Sequence, residues 1–329
     1  TQNAFAYKST GDLKRARFLF SVIQSPLVVK LATKLTPALM QSGLPINGLI
    51  RNTIFKQFVG GETLEESARV VKQLGAYQVQ VILDYGVEAK EGESNFDAVT
   101  EHFIEAIEFA ASQSNVPFVS VKITGIASHH LLETLNDAPR LRSGIHDSEE
   151  DNAAWNRVKE RMYAICEVAS EKGVGVLIDA EETWIQDPID RLAIELMTIY
   201  NKEKVVVYNT YQLYRNDRLH FLQLSHRLAK EGGFLLGAKL VRGAYMEKER
   251  DRAIKLGYAS PIHLNKEATD KDFDAAATYS IKAIYPAGKP RFMLITPPEW
   301  MDGIKLSGSA LANIGVAAPI LAPANAVLI

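Results

Sequence analysis

Short apolar, β-branched runs recur along the chain at VQVILDY (79–85), PFVSVKITG (117–125), VGVLIDAEE (174–182), KVVVYNTYQLY (204–214) and FLLGAKLVRGAY (234–245). Longer stretches with helical periodicity separate them, so the pattern predicts alternating strands and helices. Near-continuous apolar strands joined by helices imply a parallel sheet covered on both faces. No G-x-G-x-x-G turn follows the first run, which argues against a dinucleotide-binding Rossmann domain and favours an α/β fold of the (β/α) barrel type. A helical N-terminal region precedes the repeats. Gly60 and Gly61, followed by the capping box Thr63-Leu64-Glu65-Glu66, mark the start of the next helix.

Polar residues fall at the ends of these runs. Asp84 ends the first, Lys122 lies near the end of the second, Asp179 with Glu181 and Glu182 ends the third, Gln212 follows the fourth and Arg242 closes the fifth. In a (β/α) barrel the C-terminal strand ends converge on one mouth, so residues far apart in sequence would face a common pocket. Taken singly, each also suits a satisfied turn or a core ion pair. Lys239 inside FLLGAKLV sharpens the point: a buried ammonium without a partner costs several kcal/mol, so an anionic or polar group is expected beside it.

With 329 residues, one barrel of about 250 residues plus extensions is expected. A hydrophobic share of 47%, a charged share of 23% and a net charge of -2 describe an ordinary globular chain with no basic excess for nucleic acid, which leaves small-molecule chemistry. Cys166, the single cysteine, sits at helical spacing in RMYAICEVA and reads as a buried hydrophobe in a reducing compartment. His129-His130 lacks a third ligand at metal spacing and reads as a solvated loop pair, so no metal is expected. TQNAFAYKSTGDLKRA lacks the apolar core of a signal peptide, and no apolar run approaches the roughly 18 residues that cross a bilayer. A cytoplasmic location is expected. The stretch SPLVVKLATKLTPALM (25–40) reads as an amphipathic helix over the core, with peripheral contact with the inner membrane as the alternative.

KLVRGAY (239–245), LIDAEE (177–182), FVSVKITG (118–125), YNTYQLY (208–214) and ILDYGVEA (82–89) together resemble the proline dehydrogenase family, of the monofunctional bacterial type, in order and in spacing. The resemblance spans about residues 60–277. It implies a distorted (β/α)8 barrel that holds FAD, oxidises L-proline to 1-pyrroline-5-carboxylate and passes electrons to a quinone. Lys239 would then lie by the flavin ring, with Val241, Arg242, Gly243, Ala244 and Tyr245 forming the rest of the cofactor platform. Gly243 would let the backbone approach the cofactor closely. Gln212 would hydrogen-bond the ring, and Asp179 with Ala180 would sit at the boundary between flavin and substrate. Lys122 would pair with the proline carboxylate, and Asp84 would hold that lysine in place. Lys122, Asp179 and Lys239 are thus the candidate catalytic residues.

The chain divides on this reading into an N-terminal helical region (1–60), a barrel (61–277) and a divergent segment (278–329). The resemblance implies a last helix with paired arginines that clamp the substrate carboxylate, yet 278–329 has no adjacent arginines and Arg291 is the only arginine after Arg252. A flavin-binding barrel of low or no activity is therefore an alternative. A second takes Lys122 as a Schiff-base lysine of the class I aldolase kind. Trp184 and Tyr214 are candidates to stack on adenine, although packing is the commoner use of such rings.

Overall fold

The computed structural model describes residues 7–25, 51–86, 91–137, 148–284, 292–295 and 327–328, with isolated helical positions between 27 and 48. Its elements in chain order are α1 (Thr10–Ile23), α2 (Leu64–Gly75), β1 (Val81–Asp84), α3 (Glu93–Ala111), β2 (Phe118–Val121), α4 (His129–Asp137), α5 (Glu149–Lys172), β3 (Gly175–Ile178) and α6 (Thr183–Tyr200). They continue with β4 (Val207–Gln212), α7 (Arg218–Gly232), β5 (Leu236–Val241), α8 (Met246–Leu256), α9 (Lys266–Ile284), β6 (Phe292–Ile295) and β7 (Val327–Leu328). A π turn at Arg51–Phe55, a single helical turn at Lys56–Phe58 and a 3-10 turn at Ile123–Gly125 complete the set of described elements.

All five apolar runs form strands. Among the described residues these join one sheet in the order β6-β5-β4-β3-β2-β1-β7, every neighbouring pair parallel. β4 starts at Val207, later than the run KVVVYNTYQLY suggests. Buried Asn201 accepts from the N–H groups of Val206 and Val207 and donates to the carbonyls of Val207 and Leu235, so its amide replaces the ladder where β4 and β5 begin. Strands β6 and β7 were not anticipated from the sequence, and α9 runs on past position 277 to Ile284.

The period of two divides each strand between two faces. One face sends Leu83, Val119, Val121, Val176, Ile178, Val207 and Leu240 into a large core shared with the helices. The opposite face carries a small separate cluster of Ile82, Phe118, Leu177 and Tyr208, with the Phe118 and Tyr208 rings edge to face at 5.5 Å. Gly175 makes room for those rings, since a Cβ there would lie 2.5 Å from Phe118. This cluster is the floor of the inner face, and the site lies above it.

Helix boundaries follow ordinary capping chemistry. The hydroxyl of Thr63 accepts from the Glu66 N–H as expected, but the reciprocal bond of the capping box is displaced: the Glu66 carboxylate accepts from Glu62, one residue earlier. His129 and His130 do not form a loop; they open α4, with His129 facing Glu133 one turn on. Cys166 is fully buried in α5, and burial pushes its thiol pKa up. None of the described helices is long and apolar enough to cross a membrane, and most of 25–40 lies outside the described residues.

Candidate active site

Two residues on from the floor cluster, the same face of successive strands presents Asp84, Ser120, Asp179, Thr210 and Lys239, with Lys122, Gln212 and Val241 one further step toward the C-terminal ends. Lys122 and Asp179 each stand one residue past a strand. The expected gathering of polar residues at one end of the sheet is therefore present in the backbone register.

The partner of Lys239 comes from the chain itself. Its Nζ donates to Asp179 Oδ1 at 2.5 Å, with both side chains largely buried. Thr210, register neighbour of Lys239, donates its hydroxyl to the Ile178 carbonyl at 2.8 Å and ties the intervening strand to β3. The amide oxygen of Gln212 is buried with no hydrogen-bond donor among the described residues, as is the hydroxyl of Ser120. Orphaned buried acceptors cost free energy unless something supplies their hydrogen bonds. Gln212 thus suits a bound group that carries N–H or O–H donors.

Glu181, which the sequence placed at a strand end without a role, is 3% exposed. Its carboxylate accepts from the Thr124 N–H at 3.1 Å and from the Thr124 hydroxyl at 2.5 Å. Burial raises its pKa to about 7; Glu182 pushes the same way, while Thr124 and the Lys122 ammonium pull it down. Lys122 therefore lies within electrostatic reach of Glu181. Glu182 in turn accepts from Lys248 at 2.7 Å, and the buried carboxylate of Glu249 receives both the N–H and the hydroxyl of Thr183, capping the start of α6 from α8.

In the segment after β5, Gly243 and Arg242 both meet side chains of the chain itself. Gly243 has φ +133°, and a Cβ on it would come within 2.3 Å of the Tyr214 ring, so that buried ring already accounts for the glycine. Arg242 stacks over Phe273 at 4.4 Å and donates from Nε to Asp270 at 2.6 Å; this hydrogen bond, with that of Lys266, lowers the Asp270 pKa. Its guanidinium is thereby anchored on α9. Ala244 is exposed, Tyr245 precedes α8 with the Lys248 ammonium over its ring, and Ala180 is buried beside the Asp179–Lys239 pair in sequence. Trp184 lies under the Arg252 guanidinium at 4.5 Å. A cavity of about 680 Å³ opens beside the end of β1 and is lined by Leu64, Tyr85 and His102; of the predicted site residues only Asp84 borders it. Arg291 lies outside the described residues.

The fold and this site define an α/β protein of barrel type whose strand ends hold a cation–carboxylate pair beside unfilled hydrogen-bond acceptors. A sequence model of proline dehydrogenase matches residues 67–293, and the chain belongs to the proline dehydrogenase family. It is 30% identical over 319 residues to the mitochondrial proline dehydrogenase 1 of Dictyostelium discoideum, covering 86% of this chain and 56% of that protein. It is 27% identical over 340 residues to the hydroxyproline dehydrogenase of Xenopus laevis, covering 95% and 72%. The chain thus spans little more than half the length of the Dictyostelium relative. Among solved structures, proline utilization A from Bdellovibrio bacteriovorus, inactivated by N-propargylglycine, matches with a TM-score of 0.62 at 20% identity, over 81% of this chain and 26% of that one. That likeness is one of fold.

Proposed function

We propose that the chain oxidises L-proline to 1-pyrroline-5-carboxylate with FAD as cofactor and a quinone as the onward acceptor. The observation that carries this reading is the Lys239–Asp179 pair flanked by the orphaned Gln212 oxygen, at the strand ends of a segment matched by the family model. Gln212, Lys239 and the backbone of 241–245 would hold the flavin. When bound, the flavin accepts the hydride that leaves proline C5.

The chain's own residues would orient the substrate and tune its surroundings. Lys122 would pair with the proline carboxylate, a contact worth more in a water-poor mouth than on a surface. Asp179 would neutralise Lys239 between turnovers and keep its ammonium at the flavin edge, where a fixed cation favours the reduced cofactor. The amine proton leaves to solvent, which requires a neutral amine and good positioning more than a dedicated base. Peripheral contact with a membrane, cytoplasmic location and the division at residues 60 and 277 belong to the same reading.

The test is proline-dependent reduction of an artificial dye. The intact chain should reduce it, and Lys122→Met should raise KM for proline strongly with bound flavin retained. Flavin loss without a kinetic change in the loaded fraction would remove Lys122 from the substrate side. A second reading, a flavin-binding barrel of low activity, is favoured by the lack of adjacent arginines in 278–329. Flavin-loaded protein that leaves the dye oxidised in excess proline would select it.

A further inference from the structure

We propose that Thr124 and Glu181 form a positioning pair that sets Lys122 for the substrate carboxylate. The inference rests on the proline-oxidation reading above.

Lys122 stands where β2 gives way to a single 3-10 turn, Ile123–Gly125, which is closed by Gly125 N–H to the Lys122 carbonyl and Ile126 N–H to the Ile123 carbonyl, both at 3.0 Å. So short a turn holds its own backbone weakly, and Lys122 leads directly into it. Glu181, in the connection between β3 and α6, grips the turn from elsewhere in the chain. One carboxylate oxygen takes the Thr124 N–H and the other takes the Thr124 hydroxyl, a two-point grip across 57 positions of sequence.

The grip is itself anchored. The Glu181 N–H donates to Gln186 Oε1 at 2.7 Å, Gln186 donates to Asp190 Oδ1 at 3.0 Å, and Asp190 is held by Asn209 at 2.9 Å and by Arg218 at 2.5 Å. Gln186, Asp190, Asn209 and Arg218 are all buried. This network runs from α6, β4 and α7 to the mouth, so the Thr124 turn is fastened to the core through Glu181. A fully satisfied buried network fixes its members in one arrangement. Glu181 also places a carboxyl within the electrostatic reach of Lys122. It therefore acts on the lysine through the turn and, once ionised, through its charge as well.

The experiment is a double-mutant cycle read by ligand binding to flavin-loaded protein. The probe is cyclopentanecarboxylate, a ring carboxylate with no amine to oxidise, and its Kd is measured by calorimetry beside the proline KM. Thr124→Val, which keeps shape and removes the hydroxyl, should weaken the probe by about tenfold. Thr124→Ser should stay within about twofold of the parent, because the hydroxyl returns. In a Lys122→Met background Thr124→Val should have no further effect, since the residue it positions is gone. An equal loss in both backgrounds would show a merely structural role and overturn the proposal, as would an unchanged Kd in Thr124→Val alone. Should Thr124→Val fail to fold, Glu181→Gln, which keeps one acceptor oxygen, should give the same dependence on Lys122, and a Lys122-independent effect would again overturn it. If Lys122→Met weakens the probe and the Thr124 variants do not, only this inference fails. If the parent does not bind the probe, or Lys122→Met binds it as well as the parent, the substrate reading fails with it.

Discussion

The Lys239 ammonium lies 2.5 Å from the Asp179 carboxylate, joining β5 to the end of β3 across the strand between them. A lysine inside an apolar strand is thereby explained without any ligand: its charge is paired within the chain. Removing one partner leaves the other buried and uncompensated. Lys239→Met should therefore destabilise the protein by about 3 kcal/mol, and Asp179→Asn in the same chain should recover much of that loss. Urea denaturation of the three variants measures this, and an additive double variant would contradict the pairing.

Gly243→Ala should cost roughly 3 kcal/mol. The new Cβ meets the Tyr214 ring, and φ +133° strains any L side chain. Adding Tyr214→Leu should return the packing part and leave the backbone part, so the double variant should melt between Gly243→Ala and the parent. If the single variant melts with the parent, the ring does not fix this backbone.

The carboxyl of Glu181 makes a prediction about pH. Burial raises its pKa in the folded state to about 7, from an ordinary 4.5, so the folded protein keeps a proton that the unfolded chain releases. Where the folded state binds more protons, stability falls as pH rises, here between about 4.5 and 7. Glu181→Gln cannot titrate. Its stability relative to the parent should rise across that window by up to roughly 3 kcal/mol and level off above it. Urea melts at pH 5, 6, 7 and 8 give the curve, and a flat difference would place the Glu181 carboxyl in a less costly environment.

Much of this was legible in the sequence because two of its signals are local. Apolar runs such as VGVLIDAEE mark buried strands wherever they lie, and a polar residue at the end of each run locates the strand terminus within a residue or so. Lys239 announced its need for a partner for the same reason. What stayed hidden are contacts set by tertiary packing. Thr124 and Glu181 are 57 positions apart with no spacing that links them, and Arg242 meets Asp270 only because α9 returns beside β5. The space that Tyr214 denies to Gly243 is likewise invisible before the rings are placed. The short β6 and β7 lie in a stretch whose composition lacks the alternation of strands and charged helices seen before it, so no periodic signal marked them.

The most direct test of the central claim is the absorption spectrum of the purified protein, recorded without oxygen before and after L-proline is added. Flavin bands that are present at the start and bleach on addition of proline are the predicted result. A colourless protein that does not take up added FAD, or flavin bands that stay unchanged in excess proline, would contradict it.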